Sequence, residues 1–280
     1  MSALGTTVAS SSTTAPASTD GVTMRRVLAS EWTKLWTLRS TRWTLLVAFV
    51  VMSALGPIAS AVQMAHWAHM SRQDRATFDA INTATGGWHG AQLAIGVLGV
   101  LVISGEYTTG MIRSSLMAVP HRLPVLWAKI LVYAGVTFVL MLVATLISFF
   151  ASQPILTEHH LQHSLGDPGA LRTVIGCALF MTVLGAMCVG FGALLRSTAG
   201  GLATFVGLLF VLPGLLDILG SSLNNTVSPY LPLNAGMTVL SHSFDPGSHH
   251  LSVWGGFALF CGYAVAAIAA AAVTLMRRDA

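Results

Sequence analysis

The chain has 280 residues, of which 54% are hydrophobic and only 9% charged, with a mean hydropathy of +0.72 and a formal net charge of +4. A water-soluble domain carries about one-quarter charged residues, so this composition excludes an ordinary soluble enzyme or binding module and places the chain in a membrane.

Residues 1–23 are rich in Ser, Thr and Ala and carry a single charge, Asp20. They lack the basic start and the apolar stretch of a signal peptide, which predicts a disordered cytoplasmic tail. The rest of the chain, 24–280, reads as one membrane domain. Its first piece, MRRVLASEWTKLWTLRSTRW, places Leu28, Trp32, Leu35 and Trp36 on one helical stripe, with Arg26, Ser30 and Lys34 off it. Tryptophan and basic residues on different faces suit a helix lying in the headgroup layer. Arg39 breaks the stripe, so the helix is expected to end near Ser40.

Crossing a hydrocarbon core takes about 20 helical residues. Uncharged apolar runs near that length fall at 43–62, 88–104, 130–150, 173–195, 198–219 and 251–276. Unbroken runs of this kind point to a helical bundle and not a barrel. Only Arg196 and Ser197 separate the fourth run from the fifth, which predicts a tight helical hairpin. Lys and Arg are retained in short cytoplasmic segments. With the N-terminus inside, the inner segments hold Arg25, Arg26, Lys34, Arg39, Arg42, Arg113, Arg122, Lys129, Arg196, Arg277 and Arg278, against Arg72, Arg75 and Arg172 outside. Both ends are therefore expected in the cytoplasm of a multi-pass cell-membrane protein.

Between the second and third runs stands GEYTTGMIRSSLMAVPHRLPVLWAK, residues 105–129. Ile112, Leu116 and Val119 form a short apolar stripe with Arg113, Ser114 and Ser115 off it. Pro120 disfavours helix at Val119, and Pro124 fits the first turn of the next helix. The insert reads as an amphipathic cytoplasmic helix clipped between two spans. A stripe that short needs a groove on a partner or on the lipid surface.

Glu106, Tyr107, Gly110, Ile112, Arg113, Leu116, Pro120, Arg122 and Lys129, in this order and spacing, resemble the loop between the second and third spans of permease subunits of type-2 ATP-binding-cassette exporters of the actinobacterial type. The stretch SEWTKLWTLRSTRW is similar to that family's connecting helix. The resemblance implies an all-α membrane protein, a six-transmembrane-helix bundle with an N-terminal interfacial helix and a short cytoplasmic coupling helix at 107–120. It also implies an ATPase-coupling interface at Glu106, Tyr107, Gly110, Ile112, Arg113, Leu116, Pro120 and Arg122. The expected partners are a nucleotide-binding ATPase subunit, a second permease copy or paralogue, and membrane lipid, with no nucleic acid.

The chain itself carries no nucleotide chemistry. A P-loop needs Gly-x-x-x-x-Gly-Lys-Ser/Thr, and the only lysines, Lys34 and Lys129, lie in WTKLW and WAKIL. It is therefore expected to be a transport subunit and not an enzyme, with no cofactor of its own. Asp217, near the outer end of the fifth run and just after Pro213, is an intramembrane acid. It reads either as a water-facing interfacial group or as a partner of substrate or Arg172. Nine of the ten histidines, among them His66, His69, His159, His160 and His163, fall in or beside the outer segments. An alternative function follows from them: a sensor or metal-handling protein binding Zn or Cu. No cysteine or clustered carboxylate completes a ligand set, so no metal site is assigned. Cys177, Cys188 and Cys261 lie in apolar runs and read as small core residues, and the Ala186/Gly190, Ala203/Gly207 and Ala258/Gly262 pairs as helix-packing positions.

Overall fold

A computed structural model describes residues 23–111, 122–219, 225–240 and 251–277, without the side chains of Arg122, Asp217 and Leu219. Among these residues there is no strand. A long apolar segment satisfies its backbone N–H and C=O groups within itself only as a helix. In chain order the helices are α1 (Met24–Thr37), α2 (Arg39–Ala65), α3 (Arg72–Ala76), α4 (Ala80–Thr85), α5 (Trp88–Thr109), α6 (Arg122–Leu156), α7 (Ala170–Leu195), α8 (Thr198–Val206), α9 (Leu212–Leu219), α10 (Pro232–Met237) and α11 (Val253–Arg277).

Among the described residues six stretches are long and apolar enough to cross a membrane: α2, α4 with α5, α6, α7, α8 with α9, and α11. They correspond to the six runs expected from the sequence and differ from them at the ends. The largest difference is α6, whose 35 residues give a rod of about 52 Å. Pro124 lies in its first turn, where a missing N–H costs nothing. The hairpin between α7 and α8 is as tight as expected. Arg196 takes a left-handed conformation at φ 51° with its N–H on the Gly192 carbonyl, and the Ser197 hydroxyl caps α8 at the Gly200 N–H. A single π turn, Gly207–Val211, joins α8 to α9. Pro213, which cannot donate to the helical ladder, follows it directly, and a wide turn is one way a helix absorbs such a residue.

The most enclosed span is α7, which packs against α5, α6 and α11. Phe180, Leu184 and Cys188 are fully buried along it. Its contact with α5 is backbone to backbone. A Cβ added at Gly99 would lie 2.7 Å from the Gly185 carbonyl oxygen, and one at Gly192 would lie 2.7 Å from that of Val100. Lipid tails give no hydrophobic drive between helices, so close approach of this kind does the holding. Gly190 is used in the same way against α11, whereas a Cβ at Gly207 or Gly262 would meet nothing within 4 Å. Cys177 and Cys188 are buried, Cys261 is half-buried, and none of the three is in a disulfide.

Side-chain hydrogen bonds to carbonyls of neighbouring elements cross-link the bundle laterally. Tyr133 donates to the Ile95 carbonyl at 2.6 Å, Ser148 to that of Ala84 at 2.8 Å, and Thr173 to that of Leu240 at 3.3 Å. The chain alternates direction, so α1, the start of α2, the end of α5, the start of α6, the α7–α8 turn and the end of α11 collect at one end of the bundle, called here the basic end.

The glycine contacts make a direct prediction. Gly99→Val should lower stability by about 1–3 kcal/mol, as overpacking does. Gly105→Ala, where an added Cβ meets nothing within 4 Å, should be neutral or stabilising by up to about 1 kcal/mol. Thermal unfolding midpoints of the two variants in detergent check this; equal midpoints would mean that α5 and α7 are not in tight contact.

Candidate functional site

The site is built from α1 inward. Val27, Glu31 and Leu35, spaced i, i+4, i+8, are the buried residues of this helix. Val27 and Leu28 pack on Val125 and Ala128 of α6. Trp32 and Trp36 face outward, 51% and 41% exposed, with their rings 5.8 Å apart. Of the four residues expected on one apolar stripe, only Leu35 is buried. The helix is turned so that a glutamate, not a tryptophan, points at the bundle. Tryptophan is at home in the headgroup layer, whereas Glu31 finds ammonium partners inside. The helix also ends at Thr37, earlier than Ser40. Leu38 is extended and Arg39 opens α2, so Arg39 never falls on the buried face of α1.

Glu31 is one corner of a closed ring of four charges drawn from three helices. Lys129 of α6 donates to Glu31 Oε2 at 2.5 Å and to Glu106 Oε1 of α5 at 2.8 Å. Lys34 of α1 donates to Glu31 Oε1 at 2.7 Å and to the same Glu106 Oε1 at 3.2 Å. Positive and negative groups alternate around the ring, so each charge has two neighbours of opposite sign. The side chains of Lys129, Glu31 and Glu106 are 3%, 4% and 10% exposed, and that of Lys34 is 26% exposed. Burial by itself lowers the Lys34 pKa. The hydrogen bond to Glu31 and the nearby charges of Glu106 and Glu31 outweigh it and hold the ammonium above the ordinary lysine value. A raised lysine pKa contributes stability that is present below the ordinary value of about 10.4 and lost as pH rises through the folded-state value. Lys34 therefore keeps its charge throughout the neutral range.

Among the described residues one atom of the ring is unpaired: Glu106 Oε2 is buried without a hydrogen-bond partner. Beside it lies a pocket of about 310 Å3 lined by Glu31, Lys34, Glu106 and Lys129 together with residues of α2 and α5.

The remaining expected residues distribute as follows. Tyr107 is half-buried, with the Arg196 guanidinium 5.5 Å from its ring centroid; Arg196 also donates to the Thr274 carbonyl of α11 at 3.2 Å. Gly110 closes α5 in the left-handed conformation at φ 73°, with its N–H on the Tyr107 carbonyl. Tyr107–Thr109 thus form the last turn of α5, which corrects the expectation that a separate helix begins at 107. Ile112, Arg113, Leu116, Pro120 and the side chain of Arg122 lie outside the described residues, as does the side chain of Asp217. At the opposite end of the bundle the histidines make local contacts. His159 stacks on Trp67 at 5.3 Å, His89 on Trp88 at 3.6 Å, and His163 pairs with Asp167 at 2.9 Å. Among the described residues no three His, Cys, Asp or Glu side chains cluster as metal ligands do.

Reasoning from sequence missed Glu31 and Lys34 as site residues and left Lys129, which it placed in the family motif, out of the interface. A signal was available: the chain has only two lysines and three glutamates, and Lys129 sits in the apolar setting LWAKILV, where a lone charge demands a partner.

The model of a family described as ABC-2 family transporter protein matches residues 27–280. No curated protein and no solved structure matches the chain.

The ring predicts an asymmetry among substitutions. Lys129→Met alone leaves two buried carboxylates to share the single ammonium of Lys34 and should cost about 3–5 kcal/mol. Adding Glu31→Gln to it should return part of that loss. Lys34→Ala, at the exposed corner, should cost less than either. Thermal unfolding of the set in detergent checks the order; a Lys129→Met protein as stable as the parent would overturn the ring as a structural element.

Proposed function

Because the chain belongs to the ABC-2 transporter family and is a multi-pass membrane permease, we propose that it forms part of the membrane path of an ATP-driven exporter and is powered by an ATPase made as a separate chain. The observation that carries the reading is the ring Glu31–Lys34–Glu106–Lys129. It ties α1 to the end of α5 and the start of α6, the two helices that flank residues 112–121. A push on that segment or on α1 is shared by all three helices, because separating any two breaks one of the ion pairs of the buried ring.

Sidedness follows from the basic residues. Arg25, Arg26, Arg39, Arg42, Arg196 and Arg277 join both lysines at the ring end, which the positive-inside tendency places in the cytoplasm with both termini. There α1, with Trp32 and Trp36 outward, lies along the headgroup layer. The amphipathic stretch Ile112, Arg113, Leu116 fits the ATPase groove, and Glu106, Tyr107, Gly110, Pro120 and Arg122 frame it. Two permease chains, identical or related, complete the path. The ATPase biases the bundle through contacts that differ between its nucleotide states.

Two experiments test this. A photo-crosslinker at Arg113 or Leu116 in native membranes should capture a soluble chain bearing a P-loop; capture of phospholipid alone overturns the coupling assignment. In the purified complex, Glu106→Gln should leave the subunits associated and change the ATPase rate by about fivefold or more, the size of an ordinary coupling energy. An ATPase rate equal to that of the parent removes the ring from the transmission path.

A further inference from the structure

The pocket beside the ring has a composition that coupling to an ATPase does not explain. Its walls are apolar, from Leu98, Leu101 and Val102 of α5, and its rim on the first turns of α2 carries the hydroxyls of Ser40, Thr41 and Thr44. Leu38 and Leu101, both lining it, are themselves exposed on the outside of the bundle, so the pocket continues onto the lipid-facing surface. Exposed Trp32, Trp36 and Trp43 belong to the same stretch of chain that contributes Glu31, Leu35, Leu38 and Thr44 to its lining, and tryptophans of this kind mark the headgroup level of a bilayer.

We propose that this pocket binds a membrane phospholipid whose headgroup carries a primary ammonium. Two independent features select the two charges of such a headgroup. Glu106 lines the pocket with its side chain nine-tenths buried, and its Oε2 has no donor. The last torsion of a glutamate is broad, so a small turn of the carboxylate presents that oxygen to the pocket. A primary ammonium brings three N–H donors to it, whereas a trimethylated headgroup brings none. The phosphate is met by the start of α2. Leu38 occupies the N-cap and has no side-chain oxygen, so no side chain caps the first amides of this 27-residue helix, and the pocket is lined by Leu38, Ser40 and Thr41 at that point. The first amides of a helix, with its dipole behind them, are an anion site, and exposed Arg39 and Arg42 add positive charge beside it. The acyl chains leave past Leu101 along the surface of α5. The apolar exit and the tryptophan level assign the pocket to a lipid over a free zwitterion in solution.

The test uses the full chain in nanodiscs holding equal amounts of phosphatidylethanolamine and phosphatidylcholine with the same acyl chains, and counts the lipids retained on the protein by native mass spectrometry. The parent should retain the ethanolamine lipid over the choline lipid by about tenfold, the discrimination expected of one charge-assisted hydrogen bond. Gly105→Leu, placed in the pocket where a Cβ meets nothing within 4 Å, should fill it and abolish the preference. Glu106→Gln should bring the two lipids towards parity while lipid is still retained. Both variants are checked for an unchanged elution volume, and either one alone decides the matter if the other fails to fold. Equal retention of the two lipids by the parent, or a preference that survives Gly105→Leu, overturns the proposal. Displacement of the lipid by millimolar phosphoethanolamine reassigns the pocket to a soluble zwitterion and overturns the lipid assignment. None of these outcomes depends on an ATPase, so the site stands or falls separately from the coupling reading.

Discussion

Two ammonium groups and two carboxylates cannot be taken out of water singly; each isolated charge would cost several kcal/mol even after relaxation. The chain meets this constraint by gathering both of its lysines and two of its three glutamates into one alternating ring. Every ammonium sits between two carboxylates, and like charges lie across the ring from each other. Because the corners come from α1, α5 and α6, the pairing requirement is also a geometric requirement: the elbow before the first span has one seat, on the α5–α6 junction. Apolar contacts between Val27, Leu28, Val125 and Ala128 support that seat without selecting it, since apolar surfaces slide over one another at little cost. The charges choose the register, and the apolar residues fill it.

Below the ring, α5, α6 and α7 behave as a stiff unit for a different reason. The α5–α7 contact has no side chains between the backbones at Gly99 and Gly192, and the Tyr133 hydroxyl bonds the Ile95 carbonyl across α5 and α6. Interiors packed at this density pass displacement on without absorbing it. A movement imposed at Glu106 or Lys129 therefore travels along two helices that are already locked together. The fifth span is built in contrast. It is the least enclosed of the six, it carries a π turn at Gly207–Val211, and Pro213 denies it one ladder hydrogen bond. The polypeptide thus places its rigidity where the charges are and its irregularity in a helix that meets α5 away from them, through Phe205 at Gly96, Gly201 at Val100 and a 2.9 Å hydrogen bond from Thr198 to Ser104.

The contrast explains what the sequence made legible. Hydrophobic length is a local property, so the six spans, the α7–α8 hairpin at Arg196 and the helical start at Pro124 were all readable from neighbours in the chain. The family resemblance rested on the short motif around Glu106 and Arg113, and the match over residues 27–280 bears it out. The ring was not legible, because Glu31 and Lys129 are 98 positions apart and no periodicity connects them. The reading of α1 put Trp32 and Trp36 in the headgroup layer and gave Glu31 no role, because hydropathy ranks a glutamate as a residue to expose, whereas Glu31 is buried between two lysines. Scarcity was the better guide, since a chain with two lysines does not place one at LWAKILV without a partner.

Glu106 is the point at which these strands of argument meet. One of its oxygens accepts from both lysines, and the other accepts from nothing among the described residues. A donor brought to Oε2 from the pocket competes for the same negative charge that holds Lys34 and Lys129, so it weakens their hold on Glu106 and leaves Glu31 as their principal partner. Lys34, the most exposed corner, is then the first to loosen, and with it the anchorage of α1. Linkage makes the relation reciprocal: whatever shifts α1 relative to α5 changes how strongly the pocket holds its occupant. On the proposed reading of the pocket and of residues 112–121, a carboxylate with one oxygen in a structural ring and the other beside the pocket couples the composition of the surrounding membrane to the stiffness of the element that the ATPase would push.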